Sequence, residues 1–129
     1  MGLIQATVSL TSLRAENGSS ESQFLVDTGA TDSLAPVSQL RRIGIEPVGS
    51  MAYELADGTL HEYPFGLAQI SFMGEITAGR VISGPDEAEP LLGVTALVSV
   101  GITIDPATRT LERLPAVPLK KANRGVPDS

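Results

Sequence analysis

The chain has 129 residues, 42% of them hydrophobic, which is enough for one modest core and too little for two. Its net charge is −6 and its nine Lys and Arg are scattered, so it lacks the basic stripe that a nucleic-acid partner requires. With no Cys, disulfides, thiol chemistry and Cys-based zinc sites are excluded, and the single His, His61, makes a Ser-His-Asp triad or a multi-His metal site very hard to build within one chain; no metal or cofactor is expected.

The N-terminus lacks the basic start and apolar core of a signal peptide, and Ala6 breaks the myristoylation pattern. No apolar run approaches the roughly 18 residues of a membrane helix, so the expectation is a cytoplasmic protein without a membrane partner. Ile4, Ala6, Val8 and Leu10 alternate with polar residues, the period of a half-buried strand. A turn at Asn17 and Gly18 then leads into a second strand through "QFLV", closing a hairpin. "PVSQLRRI", Pro36 to Ile43, predicts a short helix with Pro in its first turn and Gly44 at its stop, Arg41 and Arg42 forming its polar face.

"MAYELADGTLHEYPF" predicts a hairpin around Asp57 and Gly58, with His61 facing solvent and Tyr53 either packing on Tyr63 or leaning over a cleft. "LAQISF" and "ITAGRVI" flank Met73 and Gly74 as another hairpin, and "SGPDEAEP" is an acidic surface loop. "LLGVTALVSVG" opens as a strand and turns helical from Val94 to Val100, ending at Gly101. A last hairpin turns at Asp105 to Thr108, and from Ala116 onward the absence of any period predicts a disordered tail. Residues 1–115 are expected to form one domain and 116–129 the tail.

The chemistry concentrates in "FLVDTGATDS", Phe24 to Ser33, where three apolar residues precede an acid. Asp27 has four readings. It is a turn Asp bonded to nearby amides, half of a metal site with Asp32, one of two glycosidase carboxylates, or a catalytic Asp that meets a second Asp. The metal reading lacks ligands and the glycosidase reading lacks a marked second carboxylate. In the fourth reading every residue of Asp-Thr-Gly has its own part in the chemistry. The acid activates water, the Thr28 hydroxyl braces the loop, and Gly29 admits a close approach that a side chain blocks.

"DTGAT", preceded by "FLV", resembles the active-site signature of the retropepsin-like aspartic proteases, and single-domain prokaryotic relatives of the retroviral enzymes in particular. The resemblance covers about Gly2 to Leu114. It implies an all-β acid-protease barrel with one or two short helices, one lobe per chain. Asp27 is then catalytic, Thr28, Gly29, Leu91, Leu92 and Gly93 support it, and Ala30, Thr31 and Asp32 line the substrate backbone. Ala56, Asp57, Gly58 and Thr59 form a flap over the cleft. The implied activity is endopeptidase action on a peptide or protein substrate, with an acidic to mildly acidic pH profile.

Aspartic proteolysis needs two carboxylates sharing one proton, and the chain has one Asp-Thr-Gly, so the resemblance implies a two-fold homodimer with an Asp27-Asp27′ dyad. Two positions depart from the retroviral pattern. Thr31 stands where an acid is usual, with Asp32 following, and Val94 and Thr95 replace an ion-pairing couple that braces the retroviral dimer. The strand around Thr110 to Leu114, with the first strand, is the expected intersubunit sheet. The rival reading is a catalytically silent peptide-binding or dimerisation module on the same fold.

Overall fold

Alternation along the first strand sets which face turns inward. On β1 (Gln5–Ser12) Ala6, Val8, Leu10 and Ser12 are buried while the residues between them are half-buried or exposed. The computed structural model describes residues 4–14 and 18–117. β1 pairs antiparallel with β2 (Ser19–Asp27), Ala6 opposite Phe24, and Phe24 is fully buried beneath it. Burying such a side chain contributes about 2–3 kcal/mol.

The chain continues through β3 (Ser33–Pro36), α1 (Val37–Arg42), β4 (Gly49–Glu54), β5 (Leu60–Phe72) and β6 (Glu75–Gly84). It ends in β7 (Leu91–Gly93), α2 (Val94–Ser99), β8 (Ile102–Asp105) and β9 (Thr110–Arg113). The main sheet runs β1-β2-β7-β3-β6-β5-β4, and β1 also pairs with β5 through Leu10 opposite Ile70. That second pairing closes six strands into a barrel and leaves β4 outside it, joined only to β5. The all-β architecture with two short helices is therefore the expected one.

The helices begin and end where Pro36, Gly44 and Gly101 punctuate the sequence. α1 is fastened to β2 by Gln39, whose amide donates to Ser20 Oγ at 3.0 Å. Asp86, in the acidic loop, accepts the Ser38 amide at 3.0 Å on the first turn of α1. β8 and β9 form a separate two-stranded sheet, turned by Asp105, whose carboxylate accepts the Ala107 amide at 2.9 Å.

One element is longer than the sequence pattern suggests. The hairpin strand "LHEYPF" and the strand "LAQISF" are one continuous β5, running through Pro64. Pro64 is tolerated because β5 is paired there only with β4, Ser50 opposite Pro64, while pairing with β6 starts at Phe65 opposite Ile82. The arm built by β4 and the first part of β5 thus projects from the barrel. Of the tail expected from Ala116, residues 118–129 lie outside the described residues, as does Asn17 of the first turn. Among the described residues no helix is long and apolar enough to cross a membrane.

Candidate active site

Strand β2 delivers Asp27 to the rim of the barrel, where Asp27 is opposite Gly93 in a parallel ladder between β2 and β7. The chain then leaves β2, loops through Thr28 to Asp32, and returns as β3 on the other side of β7, Leu34 opposite Leu91. The loop must therefore cross the end of β7. Main-chain bonds fasten it there: Val94 N–H donates to Ala30 O at 2.8 Å, and Thr95 N–H to Thr31 O at 3.1 Å. The Ser33 hydroxyl accepts the buried Gly93 amide at 3.0 Å.

Gly93 is required by this crossing. A Cβ there would lie 2.6 Å from the Asp32 carbonyl carbon and 2.8 Å from Thr31 O, both backbone atoms. Leu92 beside it is fully buried and Leu91 half-buried, so the apolar pair anchors β7 in the core while Gly93 meets the loop. Leu91, Leu92 and Gly93 are thus brought beneath Asp27 to Asp32.

Asp27 is half-buried, less enclosed than a strand-end acid following "FLV" suggests, while Thr28 and Gly29 are exposed. Its Oδ1 accepts the Gly29 N–H at 2.9 Å, and Ala30 N–H donates to Asp27 O at 3.1 Å. The turn-Asp reading and the reactive-acid reading are therefore compatible. One carboxylate oxygen orders the loop and the other stays free of the bond to Gly29.

Asp32 faces a different set of groups. Its Oδ2 accepts the Tyr53 hydroxyl at 2.6 Å and lies 3.9 Å from Arg80 Nη1. Tyr53 is pushed up to about 12, by burial first and then by the bond to Asp32, so the phenol is a proton donor throughout the working range of a carboxylate. Among the described residues no group of three His, Asp or Glu could hold a metal ion.

A groove of about 440 Å³ runs over the loop, with Gly29, Ala30, Thr31 and Asp32 on its floor. Leu34, Ile82 and Leu91 make its barrel wall, and Tyr53, Glu54, Leu55, Ala56 and Tyr63 line it from the projecting arm. Ala56 thus reaches the groove, whereas Asp57, Gly58 and Thr59 form the exposed turn beyond it. That turn holds itself together. Leu55 N–H donates to Thr59 O at 2.8 Å, and Asp57 Oδ1 accepts both the Thr59 amide at 3.0 Å and its hydroxyl at 2.7 Å. These bonds hold the Asp57 carboxyl below its usual 3.8.

The two readings of Tyr53 are both realised, since its ring lies 6.3 Å from that of Tyr63 while its hydroxyl reaches the loop. His61 is exposed, its ring tilted against that of Tyr63 with the centroids 4.4 Å apart. Leu34, Ile82 and Arg80 were not singled out in the sequence. Leu34 and Ile82 are ordinary apolar strand residues there, and only the parallel pairing of β3 with β6 sets them side by side.

The sequence model of the family described as "gag-polyprotein putative aspartyl protease" matches residues 15–99, well over half of the chain. The matched span contains the Asp27 loop, the whole projecting hairpin, β7 and all of α2. No curated protein matches this sequence.

Proposed function

Because the chain belongs to the gag-polyprotein aspartyl protease family, we propose that it is an aspartic endopeptidase working as a two-fold homodimer, with Asp27 of each chain forming the catalytic dyad. The observation that carries this reading is the placement of Asp27. It sits half-buried at the barrel rim, at the head of a loop locked from below whose next residues, Gly29 to Asp32, line the adjoining groove. One Asp27 would be protonated and hydrogen-bond the scissile carbonyl, while its ionised mate takes a proton from water as the oxygen attacks. The gem-diol then collapses as the leaving nitrogen is protonated. A single chain offers one such carboxylate, so the site is complete only with a second copy.

The surface beside Thr28 supports that assembly. Thr28, Val94, Val98, Ile104, Leu114 and Val117 line an apolar depression next to the loop. Val98, Leu114 and Val117 are 63%, 45% and 52% exposed, much apolar surface for a free chain to leave in water. β1 is paired by β2 on one edge and, over Ser9–Ser12, by β5 on the other, which leaves β9 as the better candidate for an intersubunit strand. Residues 1–115 are the proposed peptidase domain, the arm over the groove its flap, and Thr28, Gly29 and Leu91–Gly93 the support of the dyad. Ala30, Thr31 and Ala56 would contact substrate. A cysteine-free chain suits the reducing cytoplasm, where we place it.

The test is cleavage of a diverse peptide library from about pH 3 to about pH 8 by the protein and by Asp27→Asn, with sedimentation of both. Expected are cleavage with an acidic optimum, a loss of about a thousandfold or more in the variant, and dimers in each. Cleavage that survives Asp27→Asn, or a strictly monomeric active species, would overturn the mechanism.

A further inference from the structure

Tyr53 stands between two chambers. On one side lies the groove walled by Leu34, Ile82 and Leu91; on the other is a second depression bordered by Met51, Arg80 and Thr95. Thr31, Asp32, Tyr53 and Glu54 belong to both. The bond from Tyr53 to Asp32 is thus a wall across the cleft. It joins the projecting arm to the loop that carries Asp27, two segments 21 residues apart in sequence.

That bond has mechanical consequences. Among the described residues β4 is laddered only to β5, and β5 to β6 only from Phe65 onward. The arm from Ser50 to Pro64 is therefore held by its own ladder and by two side-chain bonds to the barrel side, Tyr53 to Asp32 and Arg80 Nη1 to Met51 Sδ at 2.7 Å. Its angle over the groove depends on what the arm meets on the far side. A phenol donating to a carboxylate is among the stronger side-chain bonds, and Asp32 is fixed for it, its side chain only 11% exposed. The guanidinium of Arg80 keeps an opposite charge near the same oxygen and is itself seated 4.8 Å over the Phe65 ring.

We propose that Tyr53 and Asp32 are a positioning pair that latches the flap over the groove and partitions it, keeping an apolar substrate side chain in the chamber walled by Leu34, Ile82 and Leu91 and out of the chamber bordered by Arg80. The partition rests on the peptidase reading; the latch does not. With Oδ2 engaged by Tyr53, Asp32 acts on substrate through Tyr53 and the flap rather than as a free acceptor on that oxygen. The site selects an apolar residue at one position by a closed wall, and the wall is a hydrogen bond that opens when the flap lifts.

Two measurements on the purified protein and on Tyr53→Phe separate the latch from the partition. Tyr53→Phe keeps the ring and removes only the donor. Amide hydrogen exchange over residues 50–59 should quicken about tenfold in the variant, while exchange in β1 and β2 stays unchanged. In library profiling the variant should show a severalfold higher KM than the protein, a smaller change in kcat, and acceptance of larger side chains at a single substrate position, with the pH profile of kcat retained. Unchanged exchange overturns the latch. Quickened exchange with unchanged side-chain preference overturns the partition. If the unsubstituted protein cleaves nothing, the peptidase reading and the partition fail together, and the exchange result still decides the latch.

Discussion

The loop of residues 28–32 and the turn of residues 55–59 are both short and polar, face each other across the groove, and are held in different ways. The loop is bonded to the barrel by main-chain groups of Gly93, Val94 and Thr95, which stand on the buried Leu92. The turn is bonded to itself, through Leu55, Asp57, Gly58 and Thr59, and its arm reaches the barrel along the β4–β5 ladder, through Tyr53 on Asp32 and through Met51, whose Sδ accepts from Arg80 Nη1 at 2.7 Å. The contrast follows from burial. A segment crossing a core strand cannot shift without opening the core, whereas a hairpin outside the barrel can tilt while keeping its own bonds. A hydrolytic acid needs the first kind of support and a cover that admits substrate needs the second.

The strongest way to break this comparison is at the two glycines that serve each segment. Gly93→Ala puts a Cβ against backbone atoms of Asp32 and Thr31 that cannot give. We expect it to cost about 3 kcal/mol and to lower the thermal midpoint by on the order of 10 °C, with loss of any Asp27-dependent cleavage. Calorimetry on the purified variant checks this, and a midpoint within about 1 °C of the parent would mean that β7 does not fix the floor.

Gly58→Ala should be milder and local. Gly58 sits at φ +88°, and a Cβ there meets nothing within 4 Å, so the cost is backbone strain alone, about 1–2 kcal/mol. Exchange of the amides of residues 55–59 should quicken while the barrel amides keep their protection. Equal effects of the two substitutions on global unfolding would erase the distinction between floor and arm.

The floor was far more legible in the sequence than the relation between floor and projecting arm. Local signals carried the floor: the alternation of Ala6, Val8 and Leu10, the order Asp-Thr-Gly, and an apolar pair before Gly93. The turn at Asp57 and Gly58 and the stops of both helices were equally local. What periodicity does not carry is which distant side chains meet. Asp32 stood out as a departure from the retroviral pattern, but its partners Tyr53 and Arg80 lie on β4 and β6, which only the β3-β6-β5-β4 order of the sheet brings alongside it. The run ending in Pro64 and Phe65 and the run opening at Leu67 read as strands of two separate hairpins, and the one-sided pairing that lets a single β5 run through Pro64 is a tertiary fact.

The smallest expected effect sharpens the comparison through acid. The Asp57 carboxyl is held below its ordinary value of 3.8 by the bonds it accepts from Thr59. A lowered value means that the folded turn binds its proton less readily than the unfolded chain does. The contribution to stability is therefore fully present above the unfolded value and is lost as pH falls through the folded one. Asp57 is fully exposed, so the effect is confined to its own turn. On acidification from about pH 6 to about pH 3, amide exchange at residues 55–59, corrected for intrinsic rates, should rise in the parent protein. In Asp57→Asn, which keeps an acceptor oxygen and does not titrate, it should stay flat. The amides of Val94 and Thr95, bonded to the carbonyls of Ala30 and Thr31, should show no such rise, because no carboxylate takes part in those bonds. If they loosened together with the turn, floor and arm would be one cooperative unit, and the arm would not move independently of the floor.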